Sequence, residues 1–121
     1  MRSEIKRDRD AVEFSTQERC HIKEIANDEG DEHLSIARAR VEPGITTALH
    51  KLDGIAERYI IVSGRGRVQI GHAPPVDVVA GDVVRIPAGE CQRIENNGRE
   101  DLLFYAVCSP PFRSDCYRSL E

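Results

Sequence analysis

Short runs of residues that favour strands dominate this sequence, and most runs end at a turn-forming residue. Glycine, proline, asparagine or aspartate separates the runs, for example at Pro43-Gly44 and Asp53-Gly54. No segment carries a sustained helical period of apolar residues. The pattern is typical of an all-β sandwich or barrel. The predicted extended segments are 20–26, 34–41, 45–52, 57–62, 67–70, 76–79, 83–86, 91–95 and 101–108.

The size and charge of the chain favour one domain without a nucleic-acid surface. A chain of 121 residues is long enough to build a hydrophobic core. Residues 1–19 are mostly charged and predict an N-terminal arm, mobile or loosely docked, whereas residues 20–121 predict a single β domain. Lys and Arg number 17 against 21 Asp and Glu, a net charge of −4. We therefore expect no nucleic-acid partner.

The sequence shows no sign of a membrane partner or of a disulfide framework. No apolar stretch is long enough for a signal peptide or a membrane span, so we expect a cytoplasmic protein. The cysteines form no C-x-x-C pair and predict free thiols. Cys91 differs from the others because it adjoins Gln92, a candidate site residue, and its role stays open.

Two glycine-punctuated blocks occupy the centre of the chain. Glycine at a sharp corner reaches positive φ without the steric cost of a Cβ atom, so the blocks predict tight turns between strands. The first block carries, in order, Gly44, His50, Leu52, Glu57 and Gly64. The second block carries, in order, Gly81, Pro87, Gly89, Gln92 and Asn96, of which Asn96 is predicted to be a turn residue.

These blocks resemble the two motifs of the cupin family, and they keep the family's spacing. The resemblance implies an all-β fold, the double-stranded β-helix or jelly-roll barrel, over residues 20–121. In the family, two histidines and a glutamate of the first motif and a histidine of the second hold a metal ion. Here Leu52 replaces the second of these histidines and Gln92 replaces the third.

The resemblance implies a polar cluster of His50, Glu57 and Gln92 at the barrel mouth. Residues two apart on a strand share a face, so His50 and Leu52 are predicted to point inward together. One interpretation is a weakly held divalent metal, Zn, Fe, Mn or Ni, on these three side chains. The alternative is a metal-free barrel in which Gln92 bridges His50 and Glu57. That pair would then be a general acid/base couple or the inert lining of a ligand pocket.

Three further residues are candidates for contact with a ligand. Tyr59 lies two residues after Glu57 on the same predicted strand face, which makes it a candidate pocket wall with a phenol group. Tyr105 is a similar candidate on the last long strand. Arg38 shares a strand face with Arg40, and this pair either rings a pocket for an anionic ligand or faces solvent.

Two functions remain open on the sequence alone. The first is a small-molecule-binding cupin that acts as a metal-assisted enzyme on a polar metabolite, such as a sugar or an organic acid. The second is a metal-free, non-catalytic ligand-binding or regulatory module, since the same barrel hosts many activities. The resemblance also implies a homodimer.

Overall fold

Two antiparallel sheets face each other in the computed structural model, which describes residues 1–121. Six strands form one sheet in the order β1-β2-β3-β10-β5-β8, and five form the other in the order β11-β4-β9-β6-β7, with the bounds given next. The strands are β1 (Phe14–Ser15), β2 (His21–Ala26), β3 (Ser35–Val41), β4 (His50–Leu52), β5 (Ala56–Ser63), β6 (Arg65–Ile70), β7 (Val76–Val79), β8 (Val83–Ile86), β9 (Gln92–Glu95), β10 (Leu102–Ser109) and β11 (Tyr117–Ser119). Single turns of 3₁₀ helix occupy Asp8–Asp10 and Ser114–Cys116.

The strands confirm the all-β class. Strands β7 and β8 coincide with the predicted segments 76–79 and 83–86. The predicted segment 45–52 is shorter in the structure, because only His50–Leu52 forms strand β4, and Thr46 makes an isolated bridge to Glu95. Strands β1 and β11 were missed, because two or three residues are too few to show an alternating pattern.

The hydrophobic core lies between the two sheets. Ile61 of β5, Ile94 of β9 and Leu102 of β10 are among its most buried members, each at most 2% exposed. They come from both sheets, and in each strand the alternate residues face outward. A smaller apolar cluster of Leu52, Ile55 and Cys108 lies next to the polar cluster predicted from the sequence.

Asn96 is a structural residue at a turn, as predicted. Its side chain is fully buried, and Nδ2 donates to the carbonyl oxygens of Val41 and Glu100, both at 2.8 Å. The Gly98 amide donates to Asn96 Oδ1 at 2.9 Å. The side chain thus satisfies buried backbone groups where the chain turns between β9 and β10.

The N-terminal arm contacts the barrel along much of its length. Asp8 forms ion pairs with Lys23 at 2.6 Å and with Arg38 at 2.8 Å, and Glu13 pairs with Arg40 at 2.7 Å. Strand β1 adds to the edge of the six-stranded sheet by pairing with β2. The domain boundary between residues 19 and 20 stays a prediction, while these contacts place the arm against the sheet.

None of the helical turns in the structure has the length and apolar character needed to cross a membrane.

Gly64→Ala is expected to destabilise the fold more than Gly81→Ala. Both glycines have positive φ, +82° and +95°, so alanine at either costs about 1–2 kcal/mol. A Cβ at Gly64 would also lie 2.6 Å from the backbone oxygen of Asp101, whereas a Cβ at Gly81 would meet nothing within 4 Å. Overpacking of this kind costs at least about 1 kcal/mol more. Urea denaturation of both variants measures the difference, and equal losses would contradict the predicted clash.

Candidate ligand-binding cavity

A cavity of about 420 Å³ lies between the sheets. Inward-facing residues of β3 and β10, among them Ala37, Ala39, Phe104 and Ala106, form an apolar wall. The N-terminal arm and the C-terminal segment also contribute residues to the wall. The polar side chains of the cavity include Glu18, His50 and Glu57.

His50 is held in one tautomer and one orientation. Its side chain is buried, and Nδ1 lies 2.8 Å from the carbonyl oxygen of Ala48. Because a carbonyl only accepts, Nδ1 carries the proton in the neutral ring, and Nε2 is left as an acceptor without a protein partner. Tyr117 of β11 stacks on the imidazole with ring centroids 5.0 Å apart. Leu52 also lines the cavity, two residues further along the same strand.

Glu57 places a carboxyl group in the cavity wall, where few hydrogen-bond donors compensate for its loss of water. Glu57 is 8% exposed, and its Oε1 atom has no hydrogen-bond partner. Oε2 accepts from the Cys108 thiol at 3.6 Å. Burial raises the pKa of Glu57, while the charge of His50 and the Gln92 amide act in the opposite direction. Burial also raises the pKa of the Cys108 thiol, which favours the neutral donor form.

Gln92 lies behind the cavity wall and is hydrogen-bonded to Tyr59. Register places Gln92 of β9 opposite His50 of β4, and Gln92 is 1% exposed. The Tyr59 hydroxyl donates to Gln92 Oε1, which joins β5 of one sheet to β9 of the other. Tyr59 itself lines the cavity beside Phe104, with ring centroids 4.4 Å apart, and burial raises its pKa well above the ordinary value.

Glu18 is a site residue that the sequence analysis missed. It comes from the arm and lines the cavity, with Oε2 3.8 Å from His50 Nδ1. Burial raises the pKa of its carboxyl group, and the charge of His50 opposes this shift. No local signal marks Glu18 in the sequence, because it follows a charged segment that resembles a solvated arm.

Arg38 and Tyr105, two of the three candidates for ligand contact, lie outside this cavity, and Arg38 follows the outward-facing alternative. Arg38 faces the arm, where Nη1 donates to Asp8 at 2.8 Å, while its neighbours Ala37 and Ala39 line the cavity. Tyr105 lies opposite Arg38 in the β3–β10 register and therefore shares its outward face. Cys91 does not line the cavity either; its carbonyl accepts from the Gly71 amide at 2.8 Å.

The sequence model of the Cupin domain family matches residues 37–108, more than half of the chain. The chain belongs to the cupin family. This match confirms the resemblance drawn from the two motifs, and it spans the segment that carries His50, Glu57 and Gln92.

Relatives of this cupin include proteins named for oxalate. An oxalate-binding protein of Thermotoga maritima is 42% identical over 71 residues, which cover 59% of this chain and 58% of the relative. This cupin thus spans less than two thirds of that relative's length. An uncharacterised protein of Methanocaldococcus jannaschii is 33% identical over 87 residues, 72% of this chain and 69% of the relative. The crystal structure of a predicted oxalate decarboxylase of Thermotoga maritima superposes with a TM-score of 0.75 at 28% identity, covering 88% of this chain and 99% of that one. These likenesses confirm the jelly-roll barrel.

The side chains of the predicted metal site fit a metal ion poorly. No group of three or more His, Cys, Asp or Glu side chains is arranged to hold one. Of the three predicted ligands, Gln92 already accepts a hydrogen bond from Tyr59 through its only strong donor atom for a metal, Oε1. Leu52 supplies no donor atom. His50 Nε2 and Glu57 Oε1 remain, and two donors are fewer than a stable protein site uses.

Tyr59→Phe is expected to reduce the free energy of unfolding by about 1–3 kcal/mol, because it leaves the buried oxygen of Gln92 without a donor. Tyr105→Phe is the matched control: that hydroxyl faces outward, and we expect a change near zero. Chemical denaturation of both variants measures the two values. A loss for Tyr59→Phe no larger than that of the control would contradict the proposed contact between the sheets.

Proposed function

We propose that this cupin binds a small organic molecule in the cavity between its sheets, with Glu57 and His50 as the polar contacts. The observation that carries the proposal is the carboxyl group of Glu57, which is buried and lines the cavity with Oε1 unpartnered. A buried carboxyl group with an unpartnered oxygen costs free energy, and a ligand donor that reaches this carboxyl group from the cavity would lower that cost. A volume of about 420 Å³ suits a metabolite-sized ligand.

The named relatives support small-molecule binding of this general kind. The Thermotoga maritima relative is named as an oxalate-binding protein, and it shares 42% identity over the matched region. Because the match covers 58% of that relative, its ligand is a hypothesis for this chain and no more. The sugar or organic acid expected from the sequence likewise stays a prediction.

A second candidate function is acid–base catalysis on the bound molecule. The observation that favours it is the pair of buried carboxyl groups of Glu18 and Glu57, whose pKa values are raised by burial next to His50. A protonated Glu57 would donate a proton to a substrate, and Nε2 of His50 would accept one, since Nδ1 is committed to Ala48. Such a couple needs no metal ion. A loss of turnover in Glu57→Gln that persists at saturating substrate, beyond any weakening of binding, would separate catalysis from binding alone.

A metal-assisted enzyme is the less favoured version of this function. It would require Gln92 to release the Tyr59 hydroxyl, or a site built on His50 and Glu57 alone. Neither arrangement resembles a stable transition-metal site. The expected homodimer and the cytoplasmic location also stay predictions. Ile60 and Val83, exposed cross-strand partners on the outer face of β5 and β8, offer an apolar surface consistent with a dimer.

Filling the cavity is expected to abolish ligand binding. Ala37→Leu puts a larger side chain in the apolar wall and reduces the cavity volume, at a cost in stability of about 1–3 kcal/mol. Ala73→Leu makes the same change in an exposed loop and is the control. A metabolite library screened by thermal shift should give ligands that stabilise the wild type and Ala73→Leu but not Ala37→Leu, with folding of each variant checked by NMR. Equal stabilisation of both variants would place binding elsewhere.

Restoring the family's histidines is expected to create a metal site that the wild type lacks. In the double variant Leu52→His, Gln92→His, the chain would carry the four donor side chains of the cupin motifs, at positions 50, 52, 57 and 92. We expect elemental analysis of protein purified without an affinity tag to give far less than one metal ion per wild-type chain, and zinc or nickel titration to load the double variant much more tightly. Stoichiometric metal in the wild type would instead support the metal-assisted version.

A further inference from the structure

The cavity wall is acidic and contains no basic side chain except His50. Its carboxyl groups are those of Glu18, Glu24, Glu57 and Glu121, and no Lys or Arg lines it. Arg19 balances Glu121 through two contacts of 2.9 Å. Glu18 and Glu57 form no ion pair with Lys or Arg, and neither does Glu24, which is exposed at the rim, so the interior of the cavity favours positive over negative charge.

Glu57 is the carboxyl group in this wall that would bind a positively charged donor. Its carboxyl group lies in a wall that is otherwise rich in apolar groups, and one of its two oxygens, Oε1, has no hydrogen-bond partner. A charged donor compensates a buried carboxylate more strongly than a neutral donor does. A carboxylate ligand would instead add a like charge at close range and would find only His50 to offset it.

The wall suits an apolar body rather than a molecule with many hydroxyl groups. Several of its hydroxyl side chains already bond to the backbone. Ser35 accepts from the Phe112 amide at 2.9 Å, and Thr47 accepts from the Ile94 amide at 3.0 Å. Elsewhere the wall offers aromatic and alanine side chains, such as Phe104 and Ala106. Aromatic faces attract organic cations as well as hydrocarbon surface.

We infer that the cavity binds a small organic amine, with its ammonium group on Glu57 and its apolar body against the aromatic wall, and that it discriminates against carboxylates, oxalate included. This inference rests on the proposed function and narrows it to one ligand class. It sets this chain apart from the relative that is named for oxalate. The expected discrimination against carboxylates follows from the absence of a cationic group other than His50 in the wall.

The test uses one molecular frame with three head groups: benzylamine, benzyl alcohol and benzoate, with oxalate as a fourth probe. Calorimetry on the wild-type protein near neutral pH should show benzylamine binding more tightly than each of the others by about ten-fold or more. In Glu57→Gln the amine should lose this advantage and bind about as weakly as the alcohol. Glu90→Gln, an exposed residue outside the cavity, should keep the wild-type preference.

The comparison of the four ligands uses the wild-type protein, so its result does not depend on whether a variant folds. Benzoate or oxalate binding as tightly as benzylamine would overturn the inference, as would an amine preference that survives in a folded Glu57→Gln protein. If benzoate binds and Ala37→Leu blocks it, ligand binding in the cavity stands and only the amine class fails. If none of the four probes binds, the inference fails, and the proposed function then depends on the metabolite screen.

Discussion

A carboxyl group buried between two sheets without its full set of donors is the constraint on which the site depends. The β5 register places Glu57 opposite Cys108 of β10 and Ile86 of β8, neither of which carries a charge. The thiol is a weak donor, and the second carboxylate oxygen has no partner. Burying this group destabilises the folded state, and other interactions in the barrel must offset that cost. Such uncompensated groups concentrate at binding and catalytic sites.

The positions that hold a metal in the family motifs serve other purposes in this chain. Gln92 accepts from Tyr59 and so joins the two sheets through their interior, while Leu52 extends an apolar cluster with Ile55 and Cys108. His50 is oriented by a backbone carbonyl and by the ring of Tyr117. Together these contacts fix the side chains at the family's metal-ligand positions, next to the carboxyl groups of Glu18 and Glu57.

The sequence predicted the residues whose placement follows from strand alternation and turn chemistry. His50 and Leu52 share a face because they are two apart, and Asn96 occupies a turn because its side chain bonds to nearby backbone groups. Tyr105 was misplaced because its strand is apolar on both faces, so its pattern does not show which face is buried. Glu18 was missed because its burial comes from a tertiary contact of the arm, and no local pattern encodes such a contact.

The most direct test of this account is the titration of the Glu57 carboxyl group, followed by ¹³C NMR of its side-chain carboxyl carbon in the ligand-free protein. Burial predicts a midpoint above the ordinary pKa of 4.5, because a wall that offers few donors stabilises the carboxylate less than water does. The linked effect on stability has a definite sign. The folded protein holds this proton more tightly, so the contribution is present at low pH and is lost as pH rises through the raised pKa. A midpoint at or below 4.5 would show that Glu57 is solvated or fully paired, and would contradict the account.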